Sequence, residues 1–191
     1  MFDKVLIANR GEIVGRFSRT LRRMGVRSVA VYSDADRFAR PVFDCDEAVR
    51  LGPAPGSQSY LDIDALIFAV KSTGAQAVHP GYGFLSENVG FAERLAAEGV
   101  VFIGPRPEHL RAFALKHTAR EIAQSCGVAL APGSGLLDDV ASALAEARRI
   151  GFPVMLKSTA GGGGIDMQLC ADAAALLEKF AAVQRTAQPD A

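Results

Sequence analysis

Residues 4–13, KVLIANRGEI, indicate the fold more clearly than any other stretch of the chain. Val5–Ala8 is a short apolar run that predicts a buried strand, and Asn9-Arg10-Gly11 predicts a turn after it. Beyond the turn, apolar residues recur every three or four positions and predict an amphipathic helix: Ile13, Phe17, Leu21 and Met24. Gly25 is placed to end that helix, because glycine readily takes the left-handed conformation that follows many helices.

The alternation of strand and helix continues to about residue 113. Apolar runs predict further strands at Ser28–Tyr32, Glu47–Leu51, Gln76–His79 and Val100–Ile103. Helices are predicted at Ile63–Val70, with Asp62 as N-cap, and at Asn88–Ala97. Because the strands are continuous apolar runs between helices, they indicate a parallel sheet covered on both faces. The fold class predicted for residues 1–113 is therefore α/β, with a Rossmann-like parallel sheet.

A second domain is predicted over residues 114–191. Its helices are expected at Lys116–Ser125, Val140–Ile150 and Ala171–Gln184, the middle one capped by Asp138 or Asp139. Between the last two, Pro153–Ser158 and Met167–Leu169 predict a hairpin whose loop contains Gly161–Gly164. Alternation along the first strand of that hairpin places Val154 and Leu156 on one face, and Met155 and Lys157 on the other.

The four consecutive glycines are the most specific local feature. Glycine lets backbone N–H groups approach phosphate oxygens and form an anion-binding nest, and Lys157 would add a cation beside it. A plain hairpin tip with a surface lysine explains the loop equally well when it is taken alone. No Gly-Lys-Ser/Thr follows the glycines, so this is not a Walker A loop.

The segment His79–Asn88, HPGYGFLSEN, follows a predicted strand at the sheet edge where open parallel sheets bind ligands. The alternative is a structural turn in which Ser86 is an N-cap and Tyr82 belongs to the core. Lys116 alone is most simply a surface lysine, and His109 and His117 are interpreted as ordinary surface residues. The first loop, residues 9–13, lacks the G-x-G-x-x-G fingerprint, which disfavours a nicotinamide dehydrogenase.

Composition excludes several classes of protein. Lys plus Arg and Asp plus Glu both number 21, so no net charge favours nucleic acid or an anionic membrane. Three scattered cysteines argue against a disulfide framework. No signal peptide or membrane-spanning run is recognised, and a cytoplasmic location is expected.

Taken together, the motifs resemble the biotin carboxylase family. The matching stretches keep the family's order and spacing: KVLIANRGEI, VAVYSDAD, DEAVRLG, SYLDID, HPGYGFLSEN, FIGP, Lys116 in its short helix, and PVMLKSTAGGGG. Within the family, ALKHTAR, PGSGLLDD and PVMLKSTAGGGGI look most like urea carboxylase, the biotin-dependent part of urea amidolyase. Acetyl-CoA, propionyl-CoA and pyruvate carboxylases share most of the other motifs.

The resemblance implies a Rossmann-like pre-ATP-grasp domain followed by an incomplete ATP-grasp subdomain. Family members use ATP and Mg²⁺ to activate bicarbonate, then carboxylate biotin on a biotin carboxyl carrier domain. Carried over by position, the ATP-binding residues are Lys116, Lys157, Gly163 and Gly164. His79, Tyr82, Gly83 and Glu87 match the motif that lines the active-site cleft.

The resemblance also implies that parts of the site lie beyond Ala191. The family's magnesium ligands and catalytic residues fall there, so no catalytic or metal-binding residue is expected within the chain, and the chain alone is expected to be inactive. A complementing ATP-grasp half or a homodimer is a possible partner. The alternative is a non-catalytic nucleotide-binding or dimerisation module derived from the family. Asp166 departs from the family's glycine and would repel phosphates unless a cation intervened.

Overall fold

The computed structural model describes residues 1–158 and 167–186, with side chains up to Val183. Its contacts divide the chain into two compact units, unit 1 (Met1–Leu110) and unit 2 (Arg111–Ala191). The domain boundary predicted from the sequence, at residue 113, is close to the unit boundary at Leu110. The domain assignment itself stays a prediction.

Unit 1 is built on a parallel sheet whose strands alternate with helices. The strands are β1 (Lys4–Ile7), β2 (Arg27–Ser33), β3 (Glu47–Gly52), β4 (Ala77–His79) and β5 (Val101–Phe102). Their order in the described sheet is β3-β2-β1-β4-β5, and every pair is parallel. The strand β1, first in the chain, therefore lies in the centre of the sheet. The strand order reverses between β1 and β4, and open α/β sheets bind ligands at the carboxyl ends of the strands beside such a reversal.

The helices of unit 1 are α1 (Glu12–Arg23), α2 (Arg40–Asp44), α3 (Ile63–Thr73) and α4 (Val89–Ala97), followed by α5 (Pro107–Ala114), which extends past the unit boundary. The predicted capping residues of α3 and α1 are found at the ends of those two helices. Asp62 caps α3 by accepting a hydrogen bond from the Ala65 N–H at 3.0 Å. Gly25, with φ +71°, follows Met24, the C-cap residue of α1, and ends the helix as predicted.

The largest core cluster of unit 1 joins the sheet to α3 and α4. Its fully buried members come from every layer and include Leu6, Val29, Leu66, Val78, Phe91 and Leu95. Smaller clusters line the opposite side of β1, around Val5 and Ile7. Burying both faces of β1 explains why its residues form a continuous apolar run.

Unit 2 contains a hairpin packed against helices. After α6 (Lys116–Ser125) come α7 (Val140–Ile150), the antiparallel strands β6 (Val154–Lys157) and β7 (Met167–Cys170), and α8 (Ala173–Thr186). Asp139, rather than Asp138, caps α7 by accepting the Ser142 N–H at 2.8 Å. Ala143, Ala147, Cys170 and Leu176 form the buried core.

Candidate functional site

The loop after β4 holds the residues predicted to line a cleft. His79 is half-buried, and its ring lies against Phe17 with a centroid separation of 3.7 Å. Its Nδ1 accepts a hydrogen bond from the Gly81 N–H at 3.0 Å, which requires an unprotonated Nδ1. Phe17 also faces Tyr82, with ring centroids 6.5 Å apart. The structure thus brings His79 and Tyr82 together around one ring of α1.

The alternative interpretation of this loop as a plain structural turn is wrong in both details. Tyr82 is 67% exposed, so it is not a core residue. Asn88, not Ser86, caps α4, because its Oδ1 accepts the Phe91 N–H at 2.8 Å. Gly83 has φ +67°, and Glu87 is exposed near the end of the loop.

His79 gives unit 1 a dependence on pH. Burial lowers the pKa of His79 below its ordinary value of 6.5. The unfolded chain therefore binds more protons in this range, so the stability that neutral His79 contributes is present above the ordinary pKa and is lost as pH falls through the folded-state pKa. We expect chemical denaturation to show a steeper loss of stability between about pH 7.5 and about pH 5 in the wild type than in His79→Gln.

A matched control separates this effect from the general titration of the protein. The control is His109→Gln, which removes one exposed imidazole of α5 from the same unit. Identical pH profiles for the wild type and His79→Gln would contradict the assignment.

The hairpin of unit 2 has one buried and one exposed face, as strand alternation predicts. Val154 and Leu156 pack against the core, whereas Met155 and Lys157 face outward. The register pairs Met155 with Leu169 and Lys157 with Met167, and directly paired residues share a face. All four are exposed. We call these four residues the outer hairpin face; it sets one ammonium group beside three apolar side chains.

Lys116 lies close to the end of β6. Its Nζ donates to the backbone carbonyl of Ser158 at 3.2 Å, directly after Lys157 in the chain. A cavity of about 800 Å³ borders Lys116, Lys157 and Ser158 and continues along α6 and α7. That volume falls within the range of small-molecule and cofactor sites. The structure therefore brings the two predicted lysines to one cavity.

Two residues that line this cavity, His117 and Ser158, hold buried polar atoms that the sequence did not reveal. Ser158 is 4% exposed, and its Oγ has no hydrogen-bond partner among the described residues. The Nδ1 of His117 is also buried without a partner there, so the interpretation of His117 as an ordinary surface residue is wrong. An unsatisfied buried polar atom costs about 1–3 kcal/mol, so such atoms are uncommon in folded proteins. Neither atom leaves a signal in sequence spacing.

Some predicted residues fall outside the described part of the chain. Gly163, Gly164 and Asp166 belong to residues 159–166, so the glycine loop stays a prediction. Within residues 1–158 and 167–186, no cluster of three or more His, Cys, Asp or Glu side chains is arranged to hold a metal ion. In the same residues, no helix is long and apolar enough to cross a membrane.

The arrangement in unit 2 suits one kind of ligand. Lysine ammonium groups attract phosphates, and the apolar part of the outer hairpin face offers contact to a flat, weakly polar ring. A nucleotide, which carries phosphates and a flat base, would match this combination of a cation and apolar side chains.

Comparison with known families divides the sequence at nearly the same place as the contacts. Residues 1–110 match the biotin carboxylase N-terminal domain. Residues 116–190 match the ATP-binding domain of the carbamoyl-phosphate synthase L chain.

Curated relatives match most of this chain with a small part of their own. Urea amidolyase of Lachancea kluyveri is 53% identical over 167 residues, which are 87% of this chain and 9% of that protein. The propionyl-CoA carboxylase alpha chain of Ruegeria pomeroyi is 53% identical over 170 residues, 88% of this chain and 25% of that protein. The chain thus spans a quarter or less of the length of these two relatives.

A solved structure shares the fold over nearly the whole chain. The biotin carboxylase domain dimer of Hydrogenobacter thermophilus 2-oxoglutarate carboxylase, in complex with MgADP, ADP and bicarbonate, superimposes with a TM-score of 0.90 at 39% identity. The match covers 98% of this chain and 41% of that one.

Proposed function

Since the chain belongs to the biotin carboxylase family, we propose that it supplies part of the ATP site of an ATP-dependent biotin carboxylase. The whole reaction activates bicarbonate with ATP and carboxylates biotin on a carrier domain. Identity to urea amidolyase and to propionyl-CoA carboxylase is equal at 53%, so the proposal concerns the reaction step they share. The segments ALKHTAR and PVMLKSTAGGGGI favour urea carboxylase as the parent enzyme.

The observation that carries the proposal is the convergence of Lys116 and Lys157 on one cavity. The Lys116 Nζ donates to the carbonyl of Ser158, the residue after Lys157, so Lys116 lies at the end of β6 from which the exposed Lys157 projects. Two lysines that border one cavity favour a polyanionic ligand. A triphosphate has that charge.

Each chain residue has a proposed part in holding the nucleotide. Lys157 and Lys116 bind phosphate oxygens, and the backbone of Gly163 and Gly164 closes over them. The apolar side chains of the outer hairpin face contact the base. Mg²⁺, when bound with the nucleotide, neutralises phosphate charge and aligns the terminal phosphate for transfer.

The loop after β4 has a separate proposed part. We assign His79, Tyr82, Gly83 and Glu87 to the wall of the cleft that receives bicarbonate and carrier-bound biotin. The proposed partners are the biotin carboxyl carrier domain and either the remaining ATP-grasp half or a second copy of the chain. A cytoplasmic location is proposed from composition alone.

Calorimetric titration with MgATP tests the nucleotide site. We expect the full chain to bind, and Lys157→Ala to weaken binding by about tenfold to a hundredfold, because a hydrogen bond to a charged group contributes about 1.5–3 kcal/mol. The assay needs no catalysis, so it applies whether or not the chain turns over alone.

The control is another exposed lysine with its own partner. Lys71 pairs with Glu98 at 2.7 Å in unit 1, and Lys71→Ala should leave MgATP affinity unchanged. Equal weakening by both substitutions would remove the case for a site at Lys157. No heat of binding for the wild-type chain would favour the non-catalytic alternative.

A further inference from the structure

Asn9 occupies the turn in which nucleotide-binding Rossmann folds carry a phosphate loop. Its side chain forms hydrogen bonds with the backbone of the protein. Asn9 lies two residues after the end of β1 and is 2% exposed. Its Nδ2 donates to the carbonyl of Pro80 at 2.9 Å and to the carbonyl of Tyr82 at 2.8 Å. Its Oδ1 accepts the Arg10 N–H at 2.9 Å. Both amide hydrogens and the amide oxygen are therefore in use.

Gly81, the residue between the two carbonyls that accept from Asn9, leaves room for the Asn9 side chain because it has no Cβ. Gly81 has φ +68°, and a Cβ built on it would lie 2.6 Å from the Asn9 Nδ2. Its own N–H donates to the Nδ1 of His79 at 3.0 Å. The backbone from Pro80 to Tyr82 is thus held by Asn9 on one side and by His79 on the other.

The hydrogen bond from Asn9 holds the backbone of Tyr82, whose side chain is exposed instead of packed in the core. Tyr82 is 67% exposed although its backbone carbonyl is bonded to a buried amide. Leaving a large aromatic ring in water forgoes the stabilisation that burial would give. Further along the same loop, Phe84 has φ +42° and stacks on the buried ring of Tyr60 at 5.0 Å. The loop is fixed on both sides of Tyr82, and the Tyr82 ring is more exposed than the stacked ring of Phe84.

We propose that Asn9 is a positioning residue that holds the Pro80–Tyr82 backbone so that the Tyr82 ring is presented to a ligand. The clamp itself stands on the geometry of unit 1. That the presented ring faces a ligand rests on the proposed function. In this proposal, the loop after β1 supports the loop after β4 through Asn9 and does not bind phosphate through that side chain.

The chemistry of the clamp requires an amide. Aspartate has nearly the shape of asparagine but no N–H donor, so Asn9→Asp would set a carboxylate against two carbonyl oxygens. Asn88 offers a matched control in the same loop, because it accepts a hydrogen bond through Oδ1 and aspartate performs that task equally well.

Amide hydrogen exchange measured by NMR on the full chain tests the clamp without any nucleotide. In Asn9→Asp we expect the Gly81 N–H to exchange about tenfold faster or more, since two lost hydrogen bonds favour local opening. Amides of the central strands, such as Leu6 and Val78, should change much less. Asn88→Asp should leave the Gly81 rate at the wild-type value.

Two outcomes would overturn the proposal: an unchanged Gly81 rate, or equal acceleration of loop and strand amides, which marks a general loss of stability. Asn9→Ala removes both donors without adding charge and replaces Asn9→Asp if that variant fails to fold. Failure of MgATP to bind would count against the proposed function and leave the clamp intact, because the exchange experiment contains no ligand.

Discussion

Replacing Phe91 with alanine should lower the free energy of unfolding of unit 1 by about 3–5 kcal/mol. Phe91 is fully buried in the largest core cluster and meets Phe102 edge-to-face, with centroids 6.1 Å apart. Alanine would leave a cavity between α4 and the sheet, and the lost contacts add to the lost burial. That loss is a large fraction of the 5–15 kcal/mol typical of a domain.

The composition provides a probe confined to unit 1. The chain has no tryptophan, and its three tyrosines, Tyr32, Tyr60 and Tyr82, all belong to unit 1. Tyrosine fluorescence in a urea titration therefore follows this unit alone. Phe68, on α3, is 67% exposed, and Phe68→Ala should change the stability by no more than about 0.5 kcal/mol. Equal losses from the two variants would contradict the packing of Phe91.

Gly52→Ala should destabilise unit 1 by about 1–3 kcal/mol or more, through crowding instead of a cavity. A Cβ on Gly52 would overlap the backbone carbonyl oxygen of Gln58, which cannot move aside as a flexible side chain does. Gly52 lies at the end of β3, and its pairing with Ser33 follows a register shift in the sheet. The strand and the following turn are therefore packed backbone to backbone at this position.

Gly56 is the matched control for that substitution. The nearest atom to a Cβ there is the Leu61 Cδ1 at 3.8 Å, an ordinary contact, so Gly56→Ala should be close to neutral. The tyrosine signal serves again, since Tyr60 is buried near this turn. A Gly52→Ala protein as stable as Gly56→Ala would show that the close approach to Gln58 is not a constraint.

Most strands and helices of unit 1 were predictable because apolar periodicity and helix capping are local properties of the sequence. The strands and long helices of unit 1 form where apolar runs and residues such as Asp62 and Gly25 predict them. The helix α2 (Arg40–Asp44) was not predicted, because it is a single short segment with Pro41 at its start and no buried residue. It lies in the connection from β2 to β3 and is only five residues long, too short to show a helical period.

The candidate site residues were predictable only where a motif carried them. The resemblance indicated Lys116 and Lys157 as candidates, and strand alternation gave the outward direction of Lys157. The double donation by Asn9 was not predictable, because its partners lie 71 and 73 positions away in sequence. The unpaired Oγ of Ser158 depends likewise on three-dimensional burial, which one sequence does not contain.

The outer hairpin face also carries a chemical liability. Two of its three apolar side chains, Met155 and Met167, are thioethers open to solvent. Oxidation of either sulfur to the sulfoxide would replace a soft apolar contact with a polar, chiral group. Peroxide would thus act on the surface assigned to the base while leaving both lysines chemically unchanged, and methionine sulfoxide reductases would restore it.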